Sequence, residues 1–338
     1  MGHFMRCLTL AKFLDETGEF KVIFICNIDF PIELKKRLNI ENFDMFNTQE
    51  RTWDLFNTEL DAECTIKIVE KFKLDWLIID HYNIDQMWEK KLRPYVRKIL
   101  IIDDLANRKH DCDALLDSNL LYNQDKRYLG LVPDKAKLFL GPTYFLLQSD
   151  FYKRYVTTKA TTVKFNVVVN FGGSDLTNEI TKVLNLIEKN QSKLLDFQFH
   201  VVGGPLNPLK DELKQRCLQL KHIYYYESAH MPTLLAKADI AIGAGGTTLI
   251  ERCFMGVPTA VIIVADNQIE GTLAAEQLKL IFNLGKSENV TEVELLNFFE
   301  SIVSSNEQIS LIRKKCLEFK ETILRQGEHP LVSMLKFE

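Results

Sequence analysis

GAGGTTLIERCFMGVP, Gly243 to Pro258, follows the short apolar run Ala238 to Ile242 and turns through three glycines into an amphipathic segment that stops at Gly256. An apolar strand, a glycine turn and a helix form the repeating unit of α/β domains, in which a buried strand feeds a covering helix. Backbone N–H groups at such a turn face outward at the positive end of a helix dipole, where a phosphate or diphosphate is stabilised. Gly246, Thr247 and Thr248 are therefore candidate phosphate donors. Glu251, about one turn further in, is placed to reach the hydroxyls of a ribose. The same glycines also let strand and helix pack closely, and the stretch taken alone leaves both uses open.

The 338 residues around this turn suffice for two domains, each with its own core. A net charge of −4 gives no general attraction to nucleic acid or anionic membrane, and neither is expected as a partner. The seven cysteines are scattered and never form a C-x-x-C pair, which speaks against a disulfide framework or a structural zinc site. No apolar run approaches the length of a membrane span, and no charged start precedes an apolar block, so a cytoplasmic location is expected.

Upstream of the turn the same unit recurs. Phe4, Cys7, Leu8, Ala11 and Leu14 mark a first helix by their i, i+3, i+4 spacing, and FKVIFIC, Phe20 to Cys26, reads as a strand. Pro31 opens another helix, and a polar helical region runs from Gln49 to Lys71. DWLIID ends in Asp80, His81 and Tyr82, and the run Lys98 to Ile102 ends in Asp103 and Asp104. Apolar strands alternating with helices predict a parallel sheet covered on both faces, with ligands at the carboxyl ends of the strands. The Thr-rich segment Tyr152 to Lys164 reads as a linker, giving domains at 1–155 and 162–338. Beyond it the strand Phe165 to Asn170 runs into Phe171, Gly172, Gly173, Ser174 and Asp175, a second glycine turn, with a helix opening near Thr177. Further strands are read at Phe197–Val202, Ile223–Tyr226, Ile240–Ile242 and Thr259–Val264, with a short one near Leu280.

The start of the chain departs from this rhythm. A doubly wound domain begins with a strand that feeds its first phosphate-side loop, whereas here a helix follows Met1, Gly2 and His3 directly. The first strand of the N-terminal domain is expected to be missing. Its absence leaves a gap lined by unpaired backbone groups, and with it low stability or weak activity.

Two α/β domains with phosphate-type turns on the second point to a nucleotide-sugar enzyme with its site in a cleft between them. Six segments then fall in one order over nearly the whole chain: GHFMRCLTLAKFL, LIIDHY, IDDLANRKHDCDALLDSN, LGPTYFLLQSDFY, NFGGSD, and GAGGTTLIERCFMGVP followed by ADNQ. In these segments the chain resembles the UDP-sugar hydrolases of pseudaminic acid biosynthesis. They belong to the glycosyltransferase-B-like superfamily, with the lipid II-forming UDP-GlcNAc transferase. The resemblance implies a GT-B fold, α/β with two Rossmann-like domains facing a cleft. It implies that the substrate is a UDP-activated diacetamido-trideoxyhexose, which loses UDP when water attacks the anomeric carbon. It also implies that the His of an N-terminal G-H-x-x-R motif is catalytic, and the match is His3, with Arg6 three residues on. A His at a helix N-terminus is kept neutral by the dipole, which suits a general base near pH 7, although a His so near a terminus otherwise merely caps or frays.

The remaining candidates are weighed individually. His81, Tyr82 and Asn119 fit sugar recognition, with ordinary capping of strand ends as the alternative. Gly172, Gly173 and Ser174 are placed to donate to the diphosphate from the second domain, and Gln268 matches the polar residue that follows the last strand in the family. Asp111 to Asp113 has the form of a metal-binding D-x-D, but no other sign of the fold that uses it is present, so no metal and no cofactor is expected. Leaving-group charge is then met by fixed dipoles. A monomer is expected. Two other functions share these residues: a glycosyltransferase with the same UDP site, and a non-catalytic nucleotide-sugar binding protein.

Overall fold

A computed structural model describes residues 2–27, 30–48, 57–153, 164–304, 306–324 and 328–337. Most of the expected linker, Tyr152 to Lys164, and the start of the helical region from Gln49 lie outside them. The chain forms two compact units, each built of parallel strands and covering helices in the Rossmann manner.

In the first unit, α1 (Gly2–Asp15), β1 (Ile23–Asn27), α2 (Ile32–Ile40), β2 (Asp44–Thr48), α3 (Thr58–Val69), β3 (Leu74–Ile79), α4 (Gln86–Leu92), β4 (Val96–Ile102), β5 (Ala114–Asp117) and β6 (Lys137–Leu140) follow one another. Polar side chains start the helices: Asn57 accepts from the N–H groups of Glu59 and Leu60 ahead of α3, and Asp85 from those of Met87 and Trp88 ahead of α4. Successive residues of β4 point to opposite faces, and both faces are buried. Ile99 and Ile101 meet α3 and α4, while Leu100 and Ile102 meet α1 and the last helix of the chain. The expected interruption of the sheet is present. Among the described residues β1 pairs only with β2, and β3–β4–β5–β6 form a separate parallel sheet.

The second unit contains β7 (Phe165–Asn170), α5 (Glu179–Lys189), β8 (Phe197–Val202), α6 (Lys210–Gln219), β9 (Ile223–Tyr226), α7 (Met231–Ala236), β10 (Ile240–Ala244), α8 (Thr248–Phe254), β11 (Thr259–Ile263), α9 (Ile269–Gln277), β12 (Ile281–Lys286), α10 (Glu292–Ser304) and α11 (Glu307–Ile323). Its sheet order is β12-β11-β10-β7-β8-β9, all parallel. The winding reverses between β7 and β10, so the carboxyl ends of these two strands open a crevice of the kind in which doubly wound sheets bind ligands. Both glycine turns of the sequence leave from these two strands. The core beneath is dense with aromatic edges, Phe299 meeting Phe197 at 4.8 Å and Phe199 at 5.5 Å between ring centres.

The division by contacts differs from 1–155 and 162–338: residues 120–122 and 147–324 fall in the unit of β7 to β12. The final helix α12 (Pro330–Phe337) lies in the first unit, where Leu331, Val332 and Leu335 are buried against the sheet and α1. An amphipathic pattern shows that a helix has an apolar face but not which sheet that face covers.

Candidate functional site

In the first unit α1 carries His3 and Arg6 one turn apart on one face, and the paired strands β3 and β4 bring Asp80 and Asp104 beyond their carboxyl ends. Asp80, with a side chain only 1% exposed, collects them. His3 Nδ1 stands 2.5 Å from its Oδ1, Arg6 Nη2 donates to the same oxygen at 2.7 Å, and Arg6 Nε donates to Oδ2 at 2.8 Å. Arg6 Nη1 reaches Asp104 Oδ2 at 3.5 Å, and Tyr82 Oη donates to that oxygen at 3.3 Å. The rings of His3 and Tyr82 meet edge to face, 4.4 Å apart.

Burial alone would raise the Asp80 carboxyl, but the hydrogen bond from His3 and the charge of Arg6 outweigh it and hold the group at about 2. Burial likewise works against the Arg6 charge, and Asp80 and Asp104 raise its pKa regardless. In a neutral His3 ring, an ionised carboxylate beside Nδ1 favours the tautomer with the proton on that nitrogen and the lone pair on Nε2. The His3 side chain keeps 36% of its surface exposed, while its partner is sealed.

His81 and Asn119 are occupied more locally. His81 Nδ1 accepts from the N–H of Asn83, and the N–H of Asn119 donates to Asp117. Asp111 and Asp113 both hold Arg93, so the D-C-D segment serves an ion pair. His110 is buried against Glu89 at 2.6 Å. Neighbouring Asp117, pushed up to about 6 by burial, accepts from Tyr128 Oη.

In the second unit β7 and β10 lie side by side, Asn170 opposite Gly243, and the two turns follow at once. Gly172 takes φ +85°, in the left-handed region that favours glycine, and its N–H donates to Asn170 Oδ1. Gly173 and Ser174 complete that turn, and Asp175 then accepts from the N–H groups of Glu179 and Ile180 at 2.9 Å each, starting α5. At the other turn Gly243 has no room for a side chain: a Cβ there would strike the Asn170 carbonyl and come within 2.7 Å of Arg252 Nη1. Packing is thus one use of these glycines, as the first alternative reading had it.

Gly246, Thr247 and Thr248 present the opening N–H groups of α8. Gln268 is turned onto the loop, where its Oε1 accepts from the N–H groups of Gly245 and Val264. Arg252, 1% exposed, supports the turn from below, donating through Nη1 to Thr248 Oγ1 at 3.0 Å and through Nη2 to the Ala244 carbonyl. Burial lowers its pKa to about 10 and raises that of the neighbouring Glu251 to about 7. Asp80, Asp104 and Arg252 are additions to the candidates read from the sequence. A carboxylate at the end of an apolar strand was the available signal for the first two, whereas Arg252 reads as an ordinary helix-surface cation.

Residues 167–313 match the glycosyltransferase family 28 C-terminal domain. That span contains both glycine turns, Arg252, Glu251 and Gln268. An uncharacterized protein of Methanocaldococcus jannaschii is 27% identical over 293 residues, 83% of this chain and 56% of that protein. The UDP-2,4-diacetamido-2,4,6-trideoxy-beta-L-altropyranose hydrolase of Campylobacter jejuni is 34% identical over 194 residues, 56% of this chain and 62% of that enzyme. The spore coat polysaccharide biosynthesis protein SpsG of Bacillus subtilis is 25% identical over 90% of this chain and 86% of its own length. The chain thus spans less than two thirds of the first two relatives. Among solved structures, MurG of Acinetobacter baumannii superposes with a TM-score of 0.66 at 12% identity, covering 100% of this chain and 96% of MurG. The fold is that of GT-B proteins, with two Rossmann-like units.

Proposed function

We propose that the protein acts on a nucleoside-diphospho sugar and hydrolyses it. In this reading water loses a proton to His3 Nε2 and attacks the anomeric carbon, and the bond to the diphosphate oxygen breaks with its electron pair leaving on the nucleoside diphosphate. The observation that carries it is the His3–Asp80 pair, in which a sealed, ionised carboxylate orients a partly exposed imidazole. Arg6 and Tyr82 hold the pair in place, and His81 and Asn119 face the sugar. Gly172, Gly173, Ser174, Gly246, Thr247 and Thr248 receive the diphosphate, Glu251 the ribose, and Gln268 and Arg252 keep the second turn in shape. The likeness to the Campylobacter hydrolase supports a UDP-activated diacetamido-trideoxyhexose as substrate.

The second reading is transfer of the sugar to an acceptor, favoured by the family 28 match over residues 167–313. Incubation with UDP-diacetamido sugars in the absence of any acceptor separates the two. Stoichiometric UDP and free sugar are the expected result, and no release until an acceptor is added would establish transfer instead. In the same assay His3→Ala is expected to lose about 10²–10⁴ in turnover while binding UDP normally. Unchanged turnover would remove His3 from the mechanism.

A further inference from the structure

We propose that Arg252 is a positioning residue for the diphosphate, a buried cation that turns the Thr248 hydroxyl outward as a donor to a phosphate oxygen. The inference rests on the reading of Gly246, Thr247 and Thr248 as the diphosphate turn and adds to that turn a full positive charge. Arg6, the other buried arginine among the described residues, is held by Asp80 and Asp104. Arg252 is buried more deeply, 1% exposed, and among the described residues its hydrogen bonds reach only neutral groups, Thr248 Oγ1 and the Ala244 carbonyl. Its Nε has no partner among them. Burial holds the guanidinium at about 10, and the neighbouring Cys253 and Glu251 offset only part of that loss. A buried charge with no anion beside it destabilises the fold, and an anion seated on the turn would neutralise it.

The same two hydrogen bonds set the direction of the hydroxyl. Arginine has donors only, so the contact at 3.0 Å makes Thr248 Oγ1 the acceptor. The hydroxyl must place its own proton elsewhere. A threonine in a helix ordinarily donates to the carbonyl four residues back, here Ala244, but Arg252 Nη2 already occupies that oxygen at 2.5 Å. The guanidinium fork thus lies between the hydroxyl and its customary acceptor. The proton is left for an acceptor on the open side of the turn, where Thr248 is half-buried. Two hydrogen-bond lengths, roughly 6 Å, then separate the guanidinium from a phosphate oxygen, close enough for a poorly solvated charge to be felt. Gly243 provides the room, since a Cβ there would come within 2.7 Å of Arg252 Nη1.

The test measures UDP and uridine binding to the 338-residue chain by calorimetry. Arg252→Met and Thr248→Val should each weaken UDP roughly 10–100-fold, the range of one hydrogen bond to a charged group, and leave uridine unchanged. Thr248→Ser, which keeps the hydroxyl, should bind UDP like the parent, and Arg252→Lys, which keeps the charge without the fork, should recover part of what Met loses. The Arg252→Met, Thr248→Val double variant should lose less than the product of the two single losses, because the charge acts through the hydroxyl. Free of nucleotide, Arg252→Met should melt no lower than the parent, since an unneutralised charge is gone and the Thr248 hydroxyl can return to the Ala244 carbonyl. A residue that merely braces the turn behaves otherwise. Its loss lowers the melting temperature or prevents folding and weakens uridine and UDP alike, and that result would overturn the proposal. So would an unchanged UDP affinity in Arg252→Met or Thr248→Val, or strictly multiplicative losses in the double variant. A parent chain that binds UDP no better than uridine would remove the diphosphate turn itself, a failure of the underlying reading that shows before any variant is made.

Discussion

Replacing Asp80 by Asn leaves Arg6 buried beside a neutral amide and removes the acceptor that orients the His3 ring. Breaking a buried pair from one side costs about 3–5 kcal/mol, and denaturant unfolding of Asp80→Asn should show a loss of that size in the first unit. The Asp80 carboxyl sits at about 2 in the folded protein against an ordinary 3.8, so its contribution of about 2 kcal/mol is complete above roughly pH 4 and disappears as the pH falls through 2. Glu251 has the opposite sign. Its carboxyl is raised from 4.5 to about 7, so ionisation costs stability increasingly as the pH rises from 4.5 past 7. Glu251→Gln should match the parent protein at pH 4.5 and exceed it by about 1–3 kcal/mol at pH 8.5, allowing for the partial exposure of the side chain. Equal curves at pH 8.5 would show that the carboxylate bears no such cost. Of these residues Glu251 is a candidate because it lies one turn past a glycine turn, and His3 because it matches the G-H-x-x-R motif of the resembling family. Asp80 was visible only as a strand end, since its partner lies 77 residues away in sequence.

Among the elements, long apolar runs announced themselves and short or half-polar ones did not. β4, β7, β8 and β11 are nearly continuous apolar segments buried on both faces, and each falls within a few residues of its expected place. β2, with sequence DMFNT, and the four-residue β6 are set by pairing with a neighbour rather than by their own composition, so no local signal marks them. α12 is the clearest case of tertiary choice. Its side chain Leu331 is fully buried in the first unit, and Leu331→Ala should cost about 2–5 kcal/mol. Exchange mapping is expected to place that loss in the strands β3 to β5 and to leave β7 to β12 untouched, although α12 follows α11 directly in the chain.

For the whole molecule, two units with separate cores make two cooperative transitions the expectation in calorimetry. UDP at 100 times its dissociation constant should stabilise only the unit of β7 to β12, by about 2.7 kcal/mol, and a shift of both transitions, or of the other one alone, would contradict the assignment of the nucleotide turns. The position of α12 also fixes an order of assembly. The first unit is interrupted by the second and resumes only with the last helix, so the second unit is an insertion in the topological sense. During synthesis residues 147–324 leave the ribosome complete while the earlier sheet still has Leu100, Ile102 and Leu116 uncovered on the face that α12 will close. A stretch of this unit that is translated early therefore waits for a helix that follows the second unit, and its nascent form offers chaperones an apolar face that α1 covers only in part until α12 emerges.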